Sequence, residues 1–544
     1  MNNGKILTVR KMKKIVILAA IFATGMVVKS QNEEDALRYS MDRYTGTARS
    51  VALSGATGAL GGDFSSIGIN PAGIAVYRSS EFTFTPSLVY NSSNSNYYNV
   101  KSKDERVSVP FQQIGFVGSY RPLREVTSGL VSSHFSIGYT RTNSYTRKYK
   151  ILGDNINHSL LDRFTFDANK NNWVNCYNGL AYDNDFGLIY FHNDIGAYLN
   201  AYEYIDADGI IKFGPKSGIN HSTWIDEKGN AGEFHFGGGV NISNKVMIGG
   251  ILGINSLSHK RGMSHYEEVS GENQNSWYHS QYYEYNAGFE GLDKFTFEED
   301  ITTIGIGVNL KVGVIYKPIN ALRIGAAFHS PIFYSVDKEF STSVKGNFFN
   351  VGISQSGLEY LFSPTPQRVS KQYEEISYYF RTPLKAIGSI AYVFGNRGLI
   401  SVDYEFTNYS SMKFDTDNSD TYDIMYMDDI NNKISKTFKP THNLRFGVEF
   451  RTSEIFTLRG GYALYQSPYK KDFLSSDNKH QTYSLGFGYR MNNMFIDVAY
   501  MLRYEKFMYS LYNLDDVYYL DIMTESADII NLNHQVAVTL GWRF

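Results

Sequence analysis

The chain has 544 residues, and its 52 Lys and Arg residues nearly balance 54 Asp and Glu residues, so the formal net charge is −2. This balance gives no reason to expect nucleic acid as a partner. Cys176 is the only cysteine, which excludes an intrachain disulfide framework and argues against a thiolate metal site.

Residues 1–30 have the layout of a secretory signal peptide. Basic residues between Lys5 and Lys14 precede the apolar run 15–28, and Val28-Lys29-Ser30 is suited to cleavage. Met12 is an alternative initiator, because a chain that starts there keeps basic residues before the apolar run and the run itself. The apolar run is shorter than the roughly 20 residues of a transmembrane helix, so a permanent membrane anchor is the weaker alternative. We expect cleavage after Ser30.

Residues 31–79 are rich in small side chains and show no strand pattern. Gly55, Gly58 and Gly61 have a three-residue spacing and follow no predicted strand, which argues against a dinucleotide-binding loop. Small side chains allow a segment to pack closely in a narrow space.

From residue 80 onward the sequence alternates between two kinds of side chain. In 304–314, large apolar residues occupy the even positions, while glycine, Asn309 and Lys311 occupy the odd positions. Period-two alternation places the two sets on opposite faces of a strand. Glycine mixed with charge fits a crowded polar lumen, so the pattern predicts a transmembrane antiparallel β-barrel. The predicted strands are 80–91, 108–121, 133–146, 231–243, 245–268, 301–316, 320–336, 375–394, 398–412, 438–452, 455–466, 480–491, 494–506 and 532–544.

The number of predicted strands, fourteen, is even, as it is in bacterial single-chain barrels. Six short connections alternate with seven long ones, which is the arrangement expected of periplasmic turns and extracellular loops. The largest predicted loop is 147–230. Its apolar stretch 188–204 suits either a ligand-collecting lid or a loop packed on itself.

The C-terminal strand places Val536, Val538, Leu540, Trp542 and Phe544 on one face. A terminal aromatic residue on the apolar face resembles the recognition signal of outer-membrane barrels. We therefore expect the strand ending at Phe544 to engage the barrel-assembly machinery.

The small-residue segment continues into Asp63 and then Asn70-Pro71-Ala72-Gly73. Together with the barrel segments 322–331, 383–392 and 458–468, this motif resembles the FadL/TodX family of outer-membrane fatty-acid and hydrocarbon transporters. The chain is longer than the family pattern, mainly in 147–230 and 337–374.

The resemblance implies a domain order of signal peptide (1–30), lumenal hatch (31–79) and barrel (80–544). It implies a hydrophobic small-molecule ligand, location in a Gram-negative outer membrane among its lipids, and lateral exit through the wall. Asp63, Asn70, Pro71, Ala72 and Gly73 would take part in hatch gating.

The predicted inward faces also carry charges, among which Arg323 and Arg459 are candidates for binding a ligand carboxylate. The alternative, which we favour, is that these charges pair with one another and with hatch residues such as Arg49, Asp63 and Arg78, because buried charges must be paired whatever the function. The predicted inward charges are Lys311, Arg323, Asp403, Glu405, Arg445, Glu449, Arg459, Arg490, Asp497 and Arg543.

Other functions have weaker support in the sequence. His329 and Ser330 are adjacent in a strand and so point to opposite faces, which argues against a hydrolase pair. The sequence contains no His-Glu-x-x-His pattern, and we expect no catalytic residue, metal or cofactor. A structural or adhesive surface barrel is the main alternative, because long Tyr- and Asn-rich loops suit it.

Overall fold

The computed structural model describes residues 33–122, 128–156, 158–160, 219–269, 289–353, 360–364, 368–417, 421–471, 478–512 and 525–544. The predicted export signal and the stretch 188–204 lie outside these residues. The helices are α1 (Glu33–Ser40), α2 (Ala48–Ala52), α3 (Phe64–Ile69) and α4 (Thr421–Thr437), with 3₁₀ helices at Pro71–Val76 and Tyr409–Ser411. None of the helices in the described residues has the length and apolar character needed to cross a bilayer.

All strands belong to one antiparallel sheet. They are β1 (Glu81–Tyr97), β2 (Val100–Ser108), β3 (Phe111–Tyr120), β4 (Leu130–Ser144), β5 (Arg147–Ile156), β6 (Ile219–Ile242), β7 (Val246–Val269), β8 (Phe289–Tyr316), β9 (Leu322–His329), β10 (Phe333–Ile353), β11 (Tyr360–Pro364), β12 (Arg368–Arg381), β13 (Lys385–Val393), β14 (Gly398–Asn408), β15 (Lys413–Asp415), β16 (Pro440–Arg451), β17 (Phe456–Tyr465), β18 (Lys479–Met491), β19 (Met494–Tyr509) and β20 (Ala527–Arg543).

The sheet closes on itself because the last strand pairs with the first. The β1–β20 ladder runs from Glu81 opposite Arg543 to Asn96 opposite Asp528. In several places consecutive strands pair with the same neighbour and together cross the wall once. For example, β2 and β3 both pair with β1, and β9 and β10 both pair with β8. When such strands are counted as one, the wall consists of fourteen strands, so the predicted fourteen-stranded barrel is confirmed.

The predicted faces of the strands are also confirmed, and β8 shows them most clearly. Ile304, Ile306 and Val308 expose more than half of their surface outward, whereas Asn309 and Lys311 are buried inside. The outward row meets lipid and the inward row meets protein, which is the membrane-barrel pattern.

Three interruptions in the wall each contain a proline. Pro110 separates β2 from β3, Pro331 separates β9 from β10, and Pro383 separates β12 from β13. Proline has no N–H to donate to a ladder, so strand pairing breaks there. The latter two breaks face each other and are bridged by hydrogen bonds, with Thr382 N donating to Ile332 O at 3.1 Å and Ile332 N donating to Thr382 Oγ1 at 2.9 Å.

The predicted strand ends need correction on the extracellular side. Residues 147–156 and 219–230 belong to β5 and β6, although the sequence placed both in the largest loop, and α4 fills most of the predicted loop 413–437. Above the bilayer both faces of a strand meet water or protein. The alternation that marks the lipid-facing part is therefore lost there.

We predict that Val308→Arg destabilises the barrel by about 2–4 kcal/mol, because it places a charge near the bilayer midplane. The control is Asp300→Arg on the same outward face of β8, at a position already charged and exposed. Stability in phospholipid vesicles is followed by urea unfolding and by heat-dependent gel mobility. An effect of Val308→Arg no larger than that of the control would contradict the lipid-facing assignment.

Candidate functional site

The N-terminal segment lies inside the barrel, where the inner faces of the strands hold it. Gly58 N donates to Asp403 Oδ2 at 2.9 Å, and Ala48 N donates to Thr539 Oγ1 at 2.6 Å. Most of its apolar residues are buried, and Leu53, Leu60 and Ile67 are almost completely so. Residues 33–79 thus occupy the lumen at the place where a hatch was predicted.

Asp63 shapes this segment by capping α3. Its carboxylate accepts hydrogen bonds from Ser65 N at 3.0 Å, Ser66 N at 3.2 Å and Thr47 Oγ1 at 2.8 Å. An N-cap carboxylate satisfies amide groups that the helix leaves unpaired. Burial raises the pKa of the Asp63 carboxyl, and the nearby Arg49 opposes that shift. Asp63 therefore ties α2 to α3 within the segment.

Asn70 joins the segment to the barrel wall. Its Nδ2 donates to Gly58 O at 2.7 Å and to Val314 O at 3.2 Å, while its Oδ1 accepts from Ala72 N at 3.1 Å. The amide side chain thus fixes one turn within the segment and one strand of the wall.

Wall glycines allow this close approach. A Cβ added at Gly313 would lie 2.0 Å from Asn70 Oδ1, and one added at Gly249 would lie 2.2 Å from Pro71 O. Gly73 similarly lies close to Gly61, since a Cβ at Gly73 would be 3.2 Å from the Gly61 Cα. The structure therefore brings Asn70, Pro71 and Ala72 to one contact with β7 and β8, whereas Gly73 packs against Ser66 and Gly61 within the segment.

The inward charges form a network around the segment. Arg459 contacts Glu449 at 3.0 Å and Asp497 at 2.6 Å, and Arg49 of the segment contacts Glu449 at 3.0 Å. Arg445 contacts Glu405 at 2.6 Å. Arg323 instead donates to Leu60 O at 2.8 Å. These contacts support the interpretation that the lumenal charges pair with one another and with the N-terminal segment.

A cavity of about 570 Å³ lies on the extracellular side of this network. The segment from α1 to Arg43 forms its floor, and the inner faces of several strands form its sides. Its apolar and aromatic lining residues are Leu37, Met41, Tyr145, Tyr149, Ile225, Ile301, Phe340, Tyr409, Tyr465, Tyr469, Phe507, Met508 and Tyr509. This size is typical of a pocket for a small molecule.

The charges around the cavity are paired. Arg43 contacts Glu505, Arg147 contacts Glu227, and Arg261 contacts Glu299. Several buried donors have no hydrogen-bond partner among the described residues, and two of them, Arg43 Nε and Tyr149 Oη, belong to residues that line the cavity. Neither Arg323 nor Arg459 lines the cavity.

The floor of the cavity is anchored by Asp35 of α1. Asp35 contacts Lys338 of β10 at 2.6 Å and also pairs with Arg38. Burial alone would raise the pKa of the Asp35 carboxyl, but Lys338 and Arg38 outweigh it and hold the pKa below its usual value. The carboxylate thus stays charged and holds α1 against the wall.

The wall beside the cavity is incomplete near Pro110. The β3–β4 ladder begins at Gln113 opposite Thr140, and among the described residues no ladder joins β2 to β5. A small cavity of about 20 Å³ lies here, lined in part by Gln112, Ser144 and Arg147. Arg43, Ser144 and Arg147 line both cavities, so the two are adjacent.

The comparisons with known proteins agree with this architecture. A family model described as outer membrane protein transport protein (OMPP1/FadL/TodX) matches residues 233–510. The chain belongs to this family. It is therefore an outer-membrane transport barrel, and the family is one of channels rather than enzymes. No match was found among curated proteins.

Solved structures show the fold of the family. The Pseudomonas putida toluene transporter TodX has 12% identity and a TM-score of 0.51, covering 92% of this chain and 99% of its own. A Pseudomonas aeruginosa FadL homologue has 12% identity and a TM-score of 0.49, with coverages of 93% and 100%. The Ralstonia pickettii toluene transporter TbuX has 12% identity and a TM-score of 0.46, with coverages of 92% and 99%.

Sequence reasoning missed the cavity residues. Leu37, Met41 and Arg43 lie in a segment that was treated only as a plug, and their spacing gives no helical or strand signal of a pocket. The large apolar side chains in an otherwise small-residue segment were the available clue.

We predict that Arg459→Met destabilises the protein by about 3–5 kcal/mol, because it leaves the buried Asp497 without its partner. Arg323→Met serves as the control, since the hydrogen bond of Arg323 within the described residues is to a backbone carbonyl, and we expect a smaller loss. Urea unfolding measures both. Laurate titration of the same variants tests the carboxylate-binding hypothesis, and we expect unchanged affinity because neither residue lines the cavity.

Proposed function

We propose that the protein takes up hydrophobic small molecules of the long-chain fatty acid type across the outer membrane. The observation that carries this proposal is the cavity of about 570 Å³ above a lumen filled by the N-terminal segment. A ligand entering from outside would rest in this cavity. Residues 33–79 would then act as the hatch that controls its further passage.

The lining favours an amphipathic ligand over a plain hydrocarbon. Aromatic and aliphatic side chains offer an apolar surface, and burying an alkyl chain against them is favourable by about 0.8 kcal/mol per CH₂. Arg43 Nε supplies a buried donor that no described residue uses. A carboxylate at one end of an alkyl chain would satisfy that donor by a charge-assisted hydrogen bond.

Passage would require movement of the hatch and exit through the wall. The adjacent cavity of about 20 Å³ is too small for such a ligand, so the path has to open. The interrupted wall at Val109 and Pro110 is the place we propose for lateral exit. A route into lipid spares an apolar solute contact with water.

We predict that Met41→Trp, which fills the cavity, lowers laurate affinity at least tenfold. The matched control is Met494→Trp, because Met494 lies on the outer surface near a periplasmic turn. Binding is measured on detergent-purified protein by calorimetry, with heat-dependent gel mobility as the folding check. Equal laurate affinity in both variants would place the ligand elsewhere.

A second prediction concerns movement of the hatch. In a Cys176→Ser background, Ile74→Cys with Gly239→Cys should form a disulfide, because a Cβ at Gly239 lies 3.2 Å from the Ile74 Cβ, and a shift of a few tenths of an ångström would bring the pair to the Cβ separation of about 3.5–4.5 Å that disulfides need. We expect the oxidised protein to lose at least tenfold in oleate uptake by cells and to recover it on reduction. The two single-cysteine variants are the controls. Full uptake by completely cross-linked protein would rule out hatch gating.

We also propose that the chain reaches the membrane through a cleaved signal peptide and that its C-terminal strand engages the assembly machinery. Mass spectrometry of lipids that co-purify with the protein separates transport from the adhesive alternative. Recovery of fatty acid would support transport. Protein that is consistently empty and mediates cell adhesion would support a surface barrel without transport.

A further inference from the structure

A cluster of three buried side chains lies at the extracellular end of the barrel. His221 is on β6, and His265 and Glu267 are on β7. The ligand-forming atoms of the three residues lie within 4.8 Å of one another. His265 Nε2 is 2.8 Å and His221 Nε2 is 3.5 Å from the same Glu267 Oε1.

A backbone oxygen adjoins these three atoms as a fourth candidate ligand. The carbonyl oxygen of His158 lies 3.0 Å from His221 Nε2. In a tetrahedral zinc site with bonds of about 2.0–2.2 Å, neighbouring ligand atoms are roughly 3.3–3.6 Å apart. The separation of 3.5 Å lies within that range, and those of 2.8 and 3.0 Å are shorter by a few tenths of an ångström. Two imidazoles with one carboxylate form a set of ligands that binds zinc in proteins.

A second observation concerns how the negative charge of Glu267 is compensated. Seven glutamates are buried in the described residues, namely Glu81, Glu227, Glu233, Glu267, Glu405, Glu449 and Glu505. Six of them contact an Arg or Lys side chain within 4.0 Å. Among the described residues Glu267 has no such contact, and its ion-pair partners are His221 and His265.

A buried carboxylate is costly unless a positive charge compensates it. The hydrogen bonds to Glu267 come from Leu160 N at 2.8 Å, from Ser159 Oγ and from His265. A divalent cation bound between the two imidazoles and the carboxylate would supply the missing charge.

The surroundings of His265 also suit a metal ligand. Its Nδ1 is hydrogen-bonded to Thr223 Oγ1 at 2.7 Å, which leaves Nε2 directed at the cluster. Metal-bound histidines commonly have their second ring nitrogen held in this way, which fixes the orientation of the ring.

We propose that His221, His265 and Glu267 bind a divalent transition-metal ion of the zinc class, with the His158 carbonyl beside the remaining position. The site lies outward of the cavity on the same strand faces, because His221 is four residues from the cavity residue Ile225 and His265 is four residues from Arg261. The ion would fasten residues 158–160 to β6 and β7 at the cavity's outer end. This proposal goes beyond the transport function and does not depend on it.

The test uses full-length mature protein with a tag that contains no histidine. After EDTA treatment and dialysis, the protein is incubated with Zn²⁺ or with Mg²⁺, desalted and analysed by inductively coupled plasma mass spectrometry. We expect one Zn²⁺ per chain and no retained Mg²⁺, because a site with two imidazoles prefers zinc. We also expect Zn²⁺ to raise the temperature of unfolding.

His265→Asn and Glu267→Gln should each abolish stoichiometric retention, while Thr223→Val, which keeps all three ligands, should weaken zinc affinity by roughly 10–100-fold. His442→Asn is the control, since this exposed histidine contacts Tyr404 on the outside of the barrel. Heat-dependent gel mobility checks that each variant is folded. Absence of stoichiometric Zn²⁺ in the unaltered protein, or its full retention by folded His265→Asn and Glu267→Gln, would overturn the proposal.

Discussion

The wall of this protein is governed by the need to pair every backbone polar group that faces lipid. No water is present in the hydrocarbon layer to replace a missing partner, so the sheet has to close, and the β1–β20 ladder closes it over fourteen residue pairs. Once the wall is closed, a ligand can pass only through the lumen or at a place where pairing is relaxed. The three proline-containing interruptions are therefore informative, and the one at Pro110 adjoins the cavities.

The lumen is filled by a segment that both polar contacts and small apolar clusters hold against the wall. Asp403, Glu405 and Glu449 of the wall pair with arginines or with backbone groups of residues 33–79. Such contacts satisfy charges that would otherwise be buried alone. Each contact can nevertheless be replaced by a contact with water without breaking the others. Asp35 and Lys338 extend this pairing to the floor of the cavity.

The sequence predicted the lipid-embedded part of the fold because lipid on one side and a polar lumen on the other impose alternation, as in Ile304–Val314. It missed the extracellular extensions such as 219–230, where that constraint is absent. It did not predict the cavity, since Arg43, Arg147 and Tyr465 come together only through closure of the barrel. His221 and His265 are distant in sequence, and the one local signal was His265-Tyr266-Glu267, which places two metal ligands on one face of a strand.

We propose that residues 33–79 form a packed but releasable hatch. Hydrogen exchange of the purified protein, followed by mass spectrometry with and without saturating oleate, tests it most directly. The account predicts that amides of this segment are protected like those of the wall without ligand and lose protection when oleate is bound, while β16 to β19 stay unchanged. Amides of the segment that exchange freely without ligand, or that remain fully protected with oleate bound, would contradict it.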